Sequence, residues 1–417
     1  MSSTENPVIL DVDYVRKQFP ALKNKFVFMD NAGGSQTLGT VMNRITDYLT
    51  NYDVQLGASY EVSANAGKVL NDAHQNIAEF INAKRPEEVV IGPSTTMLLR
   101  ILSLTISSKW KKGSEVIVTN SDHEANVSCW TDLKKKGIEI KVWKVNKKTL
   151  QFEIGDLTKL MSKKTKLVAM VHVSNILGTI NPIKKIAKVV HEAGALFCVD
   201  GVAYAPHRQV DVQKSGADFY VFSWYKIYGP HQAVLYGRYD LLKKLDSFNH
   251  YFIEKDVVPY KLQPGNFNFE LTYSLAGIPE YFIQLHDYHY PEAIKESNKK
   301  KVKKSFALIA EHEARLADYL LFYLFSNPDV IIVGHTKSDK KLRVPTISFI
   351  HKKLKSTEIV EKVDPFGIGI RFGDFYAVKL IHDLGLEKYD GVVRISLVHY
   401  NTMKEVHTLV KVLEGIL

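Results

Sequence analysis

The sequence predicts an α/β protein in two parts. A large domain on a mainly parallel sheet spans residues 26–265, and residues 1–25 and 292–417 form a smaller α+β domain with a connecting helix. Three observations carry this reading. Short apolar runs alternate with helix-patterned stretches from about residue 26 to about residue 240. Pro264-Gly265 then breaks the alternation. A stretch from Glu292 to Phe325 follows without Gly or Pro, its apolar residues at helical spacing. Short buried runs separated by helices are the pattern of a parallel sheet covered on both faces.

The candidate strands of the large sheet are Phe26–Met29, Val89–Ile91, Val116–Thr119, Ile138–Trp143, Leu167–Val173, Leu196–Val199, Phe219–Phe222 and Val234–Tyr236. The small domain reads as strands Val330–Val333, Thr346–Ile350, Ile368–Phe372 and Val392–Leu397, with helices Ser356–Val363 and Lys404–Leu413. The first 25 residues are expected to pack against it.

Composition narrows the functional classes. A chain of 417 residues can bury a large core and form more than one domain. Its 45% apolar and 24% charged residues are those of an ordinary globular protein. No apolar run approaches the roughly 20 residues of a membrane span, and the start MSSTENPVILDVDYVRKQFP lacks the basic and apolar regions of a signal peptide. Two cysteines cannot build a disulfide framework, so a cytoplasmic, reducing compartment is expected. The net charge of +10 lies largely in lysine clusters, Lys134-Lys135-Lys136 and Lys299 to Lys304. These fall along amphipathic segments without interleaved aromatics, so they read as solvated helix faces and not as a nucleic-acid surface. No metal site is assigned.

Ligands of parallel sheets lie beyond the carboxyl ends of the strands, and the polar residues of interest fall there. Asp200 closes the run Leu196–Val199, and Lys226 follows Phe219–Phe222 in Ser223-Trp224-Tyr225-Lys226. An aspartate can hold the ring nitrogen of pyridoxal 5'-phosphate protonated, and a lysine can form the Schiff base; enzymes using this cofactor are recognised by that pair. Gly92-Pro93-Ser94-Thr95-Thr96 opens a helix, where backbone N–H groups and hydroxyls bind phosphate. His123 could stack on the cofactor ring or relay protons, and Asn175 could donate to a phenolic oxygen. Each residue taken singly also has a plain structural reading: a Ser or Thr helix cap, a core histidine, an Asx turn, or an aspartate held by an arginine.

Taken together, these segments resemble the class V aminotransferases, a family of fold-type I pyridoxal-phosphate enzymes, and within it the cysteine desulfurase-like branch. The matching motifs run in order from Asn31-Ala32-Gly33-Gly34, through Asp200 to His207, Tyr225-Lys226 and Gly229-Pro230-His231, to Tyr400-Asn401-Thr402, over about nine tenths of the chain. The resemblance implies a seven-stranded-type, mainly parallel sheet and a homodimer. It implies Lys226 as the Schiff-base lysine, Asp200 on the pyridine nitrogen, His123 on the ring and Asn175 near ring and substrate. It implies Thr95, Thr96 and Ser223 on the phosphate, with Tyr225 where many relatives place a histidine. Arg394 matches the arginine for the substrate carboxylate, Arg371 is a second candidate, and Asn31 is expected at the substrate entrance.

The sequence departs from this pattern in three places. Tyr376, in Gly373-Asp374-Phe375-Tyr376-Ala377, stands where desulfurases carry the cysteine that attacks sulfur. Cys129 and Cys198 read as buried small hydrophobes, so persulfide chemistry is not expected. Ala203 stands where many relatives have glutamine, and Asn268-Phe269-Glu270 lacks a threonine that reaches the partner subunit's phosphate. Lys226 as general base then leaves β-elimination from an amino acid as the first expectation. Transamination or epimerisation is second, and a non-catalytic binding protein a distant third. A second arginine leaves room for a substrate with a distal carboxylate.

Overall fold

The computed structural model describes residues 8–417; residues 1–7 of the segment expected to pack on the small domain lie outside them. The large sheet has the strand order β2-β8-β7-β6-β5-β3-β4. Its strands are β2 Val89–Gly92, β3 Glu115–Thr119, β4 Glu139–Trp143, β5 Thr165–Val171, β6 Leu196–Asp200, β7 Phe219–Ser223 and β8 Ala233–Gly237. The five strands from β7 to β4 are parallel, and β8 runs antiparallel to both β7 and β2. Every residue of β3, β7 and β8 is buried, and their middles, Val116–Val118, Phe219–Phe222 and Val234–Tyr236, are continuously apolar. Edge strand β4 is instead only partly buried, from exposed Glu139 to buried Trp143. The helix Ile183–Glu192 covers one face by burying Ile183, Ile186, Ala187 and Val190, an i, i+3, i+4, i+7 set. Among the described residues no helix is long and apolar enough to cross a membrane.

The smaller sheet is antiparallel, in the order β12-β13-β10-β9: β9 Val330–Val333, β10 Thr346–His351, β12 Arg371–Gly373 and β13 Val392–Ser396. Ile347, Phe349, Val393 and Ile395 form one core with Leu316 and Leu320 of the long helix and Leu409 and Leu413 of the last helix. The long helix runs Asn298–Ser326, shorter than the stretch read from sequence, because Pro291 starts a separate 3-10 turn, Pro291–Ala293.

Two strand expectations need correction. The run Phe26–Met29 does not join the large sheet. Its strand β1, Val27–Phe28, pairs in parallel with β11, Ile368–Gly369, and Met29 is buried in the small core. Gly369 permits this approach, since a Cβ there would lie 2.8 Å from the Phe26 ring. The run Ile368–Phe372 divides at Ile370 into β11 and β12, which belong to different sheets. The N-terminal segment does reach the C-terminal part, where Arg16 donates to the Tyr400 carbonyl and to Glu405 at 2.8 and 2.9 Å. It also bridges to the large part, because Phe19 packs edge-on both to Tyr228 there and to His399 and Tyr400 of the small part.

Candidate active site

A cavity opens at the carboxyl ends of the parallel strands, and most of the residues singled out from sequence line it: Thr95, Thr96, His123, Asn175, Asp200, Ser223, Tyr225 and Lys226. One end is built for an anion. Ser94 caps the helix Thr95–Ile106, accepting from the Met97 N–H at 3.1 Å, and Thr95 Oγ1 lies 2.7 Å from Ser223 Oγ. Gly92 lets this helix start close to the sheet, because a Cβ there would meet Leu98 at 2.7 Å. Paired hydroxyls beside helix N–H groups are donors for a phosphate. The Tyr225 ring stacks on His231, centroids 4.8 Å apart.

Asp200 supplies the test of whether pyridoxal phosphate fits. Its carboxyl is 2% exposed and accepts one hydrogen bond, from the Val202 N–H at 2.9 Å. No ion pair among the described residues involves it. Burial pushes its pKa up to about 6, against the lowering effects of Val202 and Lys226. A buried carboxylate so poorly compensated requires a cation at contact, and a protonated ring nitrogen is one. Lys226 is 8% exposed; burial, then the Arg394 charge, lower its amine to about 8 while Asp200 and Asp30 oppose them. A lysine in that range is a usable base and nucleophile near neutral pH.

His123 is held neutral. Burial first, then Lys226 and Arg394, lower it to about 4. Its Nδ1 accepts the Ala125 N–H at 3.0 Å, which puts the ring proton on Nε2. The loop beneath is fixed by Asp122, which bonds Thr119 and, at 2.7 Å, Asn126; Asn126 in turn accepts from Trp130. Burial raises Asp122 to about 8. Asn175 gives an N–H to the Phe375 carbonyl at 2.8 Å, which leaves its Oδ1 buried without a partner. The amide therefore offers the cavity an acceptor.

Neither Arg394 nor Arg371 of the small sheet lines the cavity, although the Arg394 charge acts on Lys226 and His123. Arg394, 2% exposed, donates to Asp30 at 2.7 Å and to the Asn175 carbonyl at 3.4 Å, and its guanidinium lies 3.7 Å from the Phe375 ring centroid. Arg371 sits opposite it on the neighbouring strand and is exposed. Phe375 and Tyr376 both take left-handed φ, 50° and 59°. Tyr376, 63% exposed, leans its ring over His123 with centroids 5.1 Å apart, and its carbonyl accepts the Glu124 N–H at 2.8 Å.

Asn31 does not reach the cavity. Its amide donates to the Phe28 and Ser396 carbonyls and to Asn401, and accepts from Tyr400, so it braces the segment that carries Asp30. Asp30 and Phe375 went unread in the sequence. Gly33 held a signal for the first, since a Cβ there would lie 2.8 Å from the Asp30 carboxylate. Cys129 and Cys198 are buried, and burial raises both thiols well above their ordinary range. Asn268 caps the helix Phe269–Ser274, accepting from the Leu271 N–H at 2.8 Å.

Comparison with known proteins gives a consistent picture. The family model "Aminotransferase class-V" matches residues 27–276 and 293–409. The chain is 44% identical to the aminotransferase-like protein FGM3 of Gibberella zeae, over 97% of this chain and 98% of that protein. It is 33% identical to the cysteine desulfurase-like protein ustD of Aspergillus flavus, over 100% of this chain and 93% of the other. Among solved structures, the apo cysteine desulfurase of Thermococcus onnurineus superposes with a TM-score of 0.83 at 24% identity, over 100% of this chain and 99% of that one. The fold is therefore the fold-type I architecture, with its large mainly parallel sheet and smaller C-terminal unit.

Proposed function

The chain belongs to the class V aminotransferases, enzymes dependent on pyridoxal phosphate, and on that premise we propose that it is a β-lyase cleaving a C–S or C–Se bond of an amino acid without a persulfide cysteine. When bound, pyridoxal phosphate supplies an electron sink for negative charge at the amino acid's Cα. The observation that carries the reading is Lys226, a buried amine lowered to about 8 beside an under-compensated Asp200. Asp200 would hold the ring nitrogen protonated. Ser94, Thr95, Thr96 and Ser223 would hold the phosphate, with Tyr225 beside them. Neutral His123 would serve the ring, and Arg394 would receive the α-carboxylate.

Lys226 Nζ would remove the Cα proton as general base. The Cα–H electron pair would become a Cα–Cβ double bond as the Cβ–S or Cβ–Se pair leaves with the sulfur or selenium, and the proton held on Lys226 would pass to that leaving group. Tyr376 covers His123 and shields the mouth from water. Both thiols of the chain are buried outside the cavity's lining, so the departing group must be able to leave unaided, as a conjugated thiol, sulfoxide or selenol can. Transamination or epimerisation is the second reading, since the same proton removal precedes both. The assembly proposed is a homodimer, and the compartment cytoplasmic, in keeping with two unpaired cysteines. The test is product analysis of the cofactor-loaded protein with cysteine S-conjugates. Equimolar pyruvate, ammonia and thiol support the lyase. A 2-keto acid that keeps the substrate's side chain, or the D-amino acid, overturns it in favour of the second reading.

A further inference from the structure

We propose that the substrate carries an anionic group on its side chain, and that Arg371 receives it while Arg394 receives the α-carboxylate. This rests on the amino-acid reading above and narrows it to a substrate class. β12 and β13 pair antiparallel with Arg371 directly opposite Arg394. Side chains so opposed share one face of the sheet with Cβ atoms about 5 Å apart, and like charges in that position are destabilising. Both guanidiniums converge on one ring, lying 5.9 and 3.7 Å from the centroid of Phe375.

The nearby carboxylates do not balance the pair. Asp30 is committed to Arg394 at 2.7 Å. Asp374 accepts the Tyr376 N–H at 2.8 Å and so faces its own loop. The Arg371 side chain makes no hydrogen bond or ion pair among the described residues; its recorded contact is the Phe375 ring. Two buried polar atoms also lack partners here, Arg394 Nε and Asn175 Oδ1. Asp30 is thus the counter-charge of Arg394, and Arg371 is left without a paired carboxylate among the described residues. An α-carboxylate received by Arg394 does not answer it. A second anion, whether carboxylate, sulfinate or a carboxylate carried on a thioether, would meet the planar fork of Arg371 in the geometry guanidinium favours. An arginine kept merely for solubility would gain nothing from lying opposite another arginine.

The experiment compares isosteric pairs on the cofactor-loaded protein: L-aspartate with L-asparagine, L-cysteine sulfinate with L-cysteine sulfonamide, and S-carboxymethyl-L-cysteine with its amide. The readout is the concentration of each that half-shifts the cofactor's visible band. The anionic member of at least one pair is expected to bind about tenfold or more tightly than its neutral partner. Arg371→Gln should bring that ratio to within about twofold, and Arg371→Lys should restore part of it. The pair that shows the largest ratio identifies the source of the anion. Equal affinities within every pair, or a ratio that survives Arg371→Gln, would overturn the inference while leaving the amino-acid reading intact. A band that no amino acid shifts would instead overturn the amino-acid reading itself.

Discussion

Lys226 should be held in the fold at a cost, and that cost has a pH signature. In the cofactor-free protein the amine falls from 10.5 to about 8, chiefly through burial. At 1.36 kcal/mol per pKa unit, the charged form is penalised by at most about 3 kcal/mol. The sign follows from linkage. Between pH 8 and 10.5 the unfolded chain holds the proton and the folded chain does not, so this group makes stability rise with pH. Below pH 8 the full penalty applies; above 10.5 it is gone. Lys226→Met removes the titration. The cofactor-free variant should therefore gain in stability over the wild type at pH 7 relative to pH 10, by about 2 kcal/mol. Urea unfolding of both proteins at the two pH values measures it, because pH-independent effects of the substitution cancel in the difference. A difference between variant and wild type that does not change with pH would refute the claim that Lys226 is a buried, depressed amine.

Four further outcomes are expected. Asp200 is raised to about 6, so its cofactor-free form loses stability as pH rises from about 4 to 6. Asp200→Asn should relieve at most about 3 kcal/mol above that window and nothing below it, while weakening cofactor retention at least tenfold in equilibrium dialysis. Asp30→Ala leaves the buried Arg394 guanidinium unpaired and should cost about 3 kcal/mol in chemical denaturation, with weaker binding of every amino acid. Tyr376→Gly should stabilise the fold by up to about 1 kcal/mol, because the left-handed backbone no longer carries a side chain; the same variant should raise KM as the cover over His123 is lost. Exhaustive treatment of the native, loaded enzyme with iodoacetamide should leave lyase turnover intact, since Cys129 and Cys198 are buried with thiols pushed well up.

The strands around the cavity were legible because they are buried on both faces. Val116–Thr119 and Phe219–Phe222 read as unbroken apolar runs, and the change to polar residues at their ends marks where the sheet stops and the cavity starts. The alternation of runs and helices likewise gave the parallel order its sequence-local pieces. The segment around Asp30 was illegible for the opposite reason. Val27–Phe28 is a two-residue strand whose partner, Ile368–Gly369, is more than three hundred positions away, and nothing local distinguishes it from the first strand of the large sheet. The Asp30–Arg394 pair and the Phe375 ring between two arginines are products of the same long-range closure. Asn31 shows the limit from the other side: its motif drew notice, but only tertiary contacts reveal that its amide is spent on Phe28, Ser396, Asn401 and Tyr400.

The central claim is that Lys226 binds pyridoxal phosphate in the cavity that Asp200 and the Thr95–Ser223 pair define. Borohydride reduction of the loaded protein followed by peptide mass spectrometry tests it most directly. The account predicts one pyridoxyl phosphate per chain, attached to the peptide containing Lys226, with the label lost in Lys226→Ala. Stoichiometric label on another lysine, or label that persists in that variant, would contradict it.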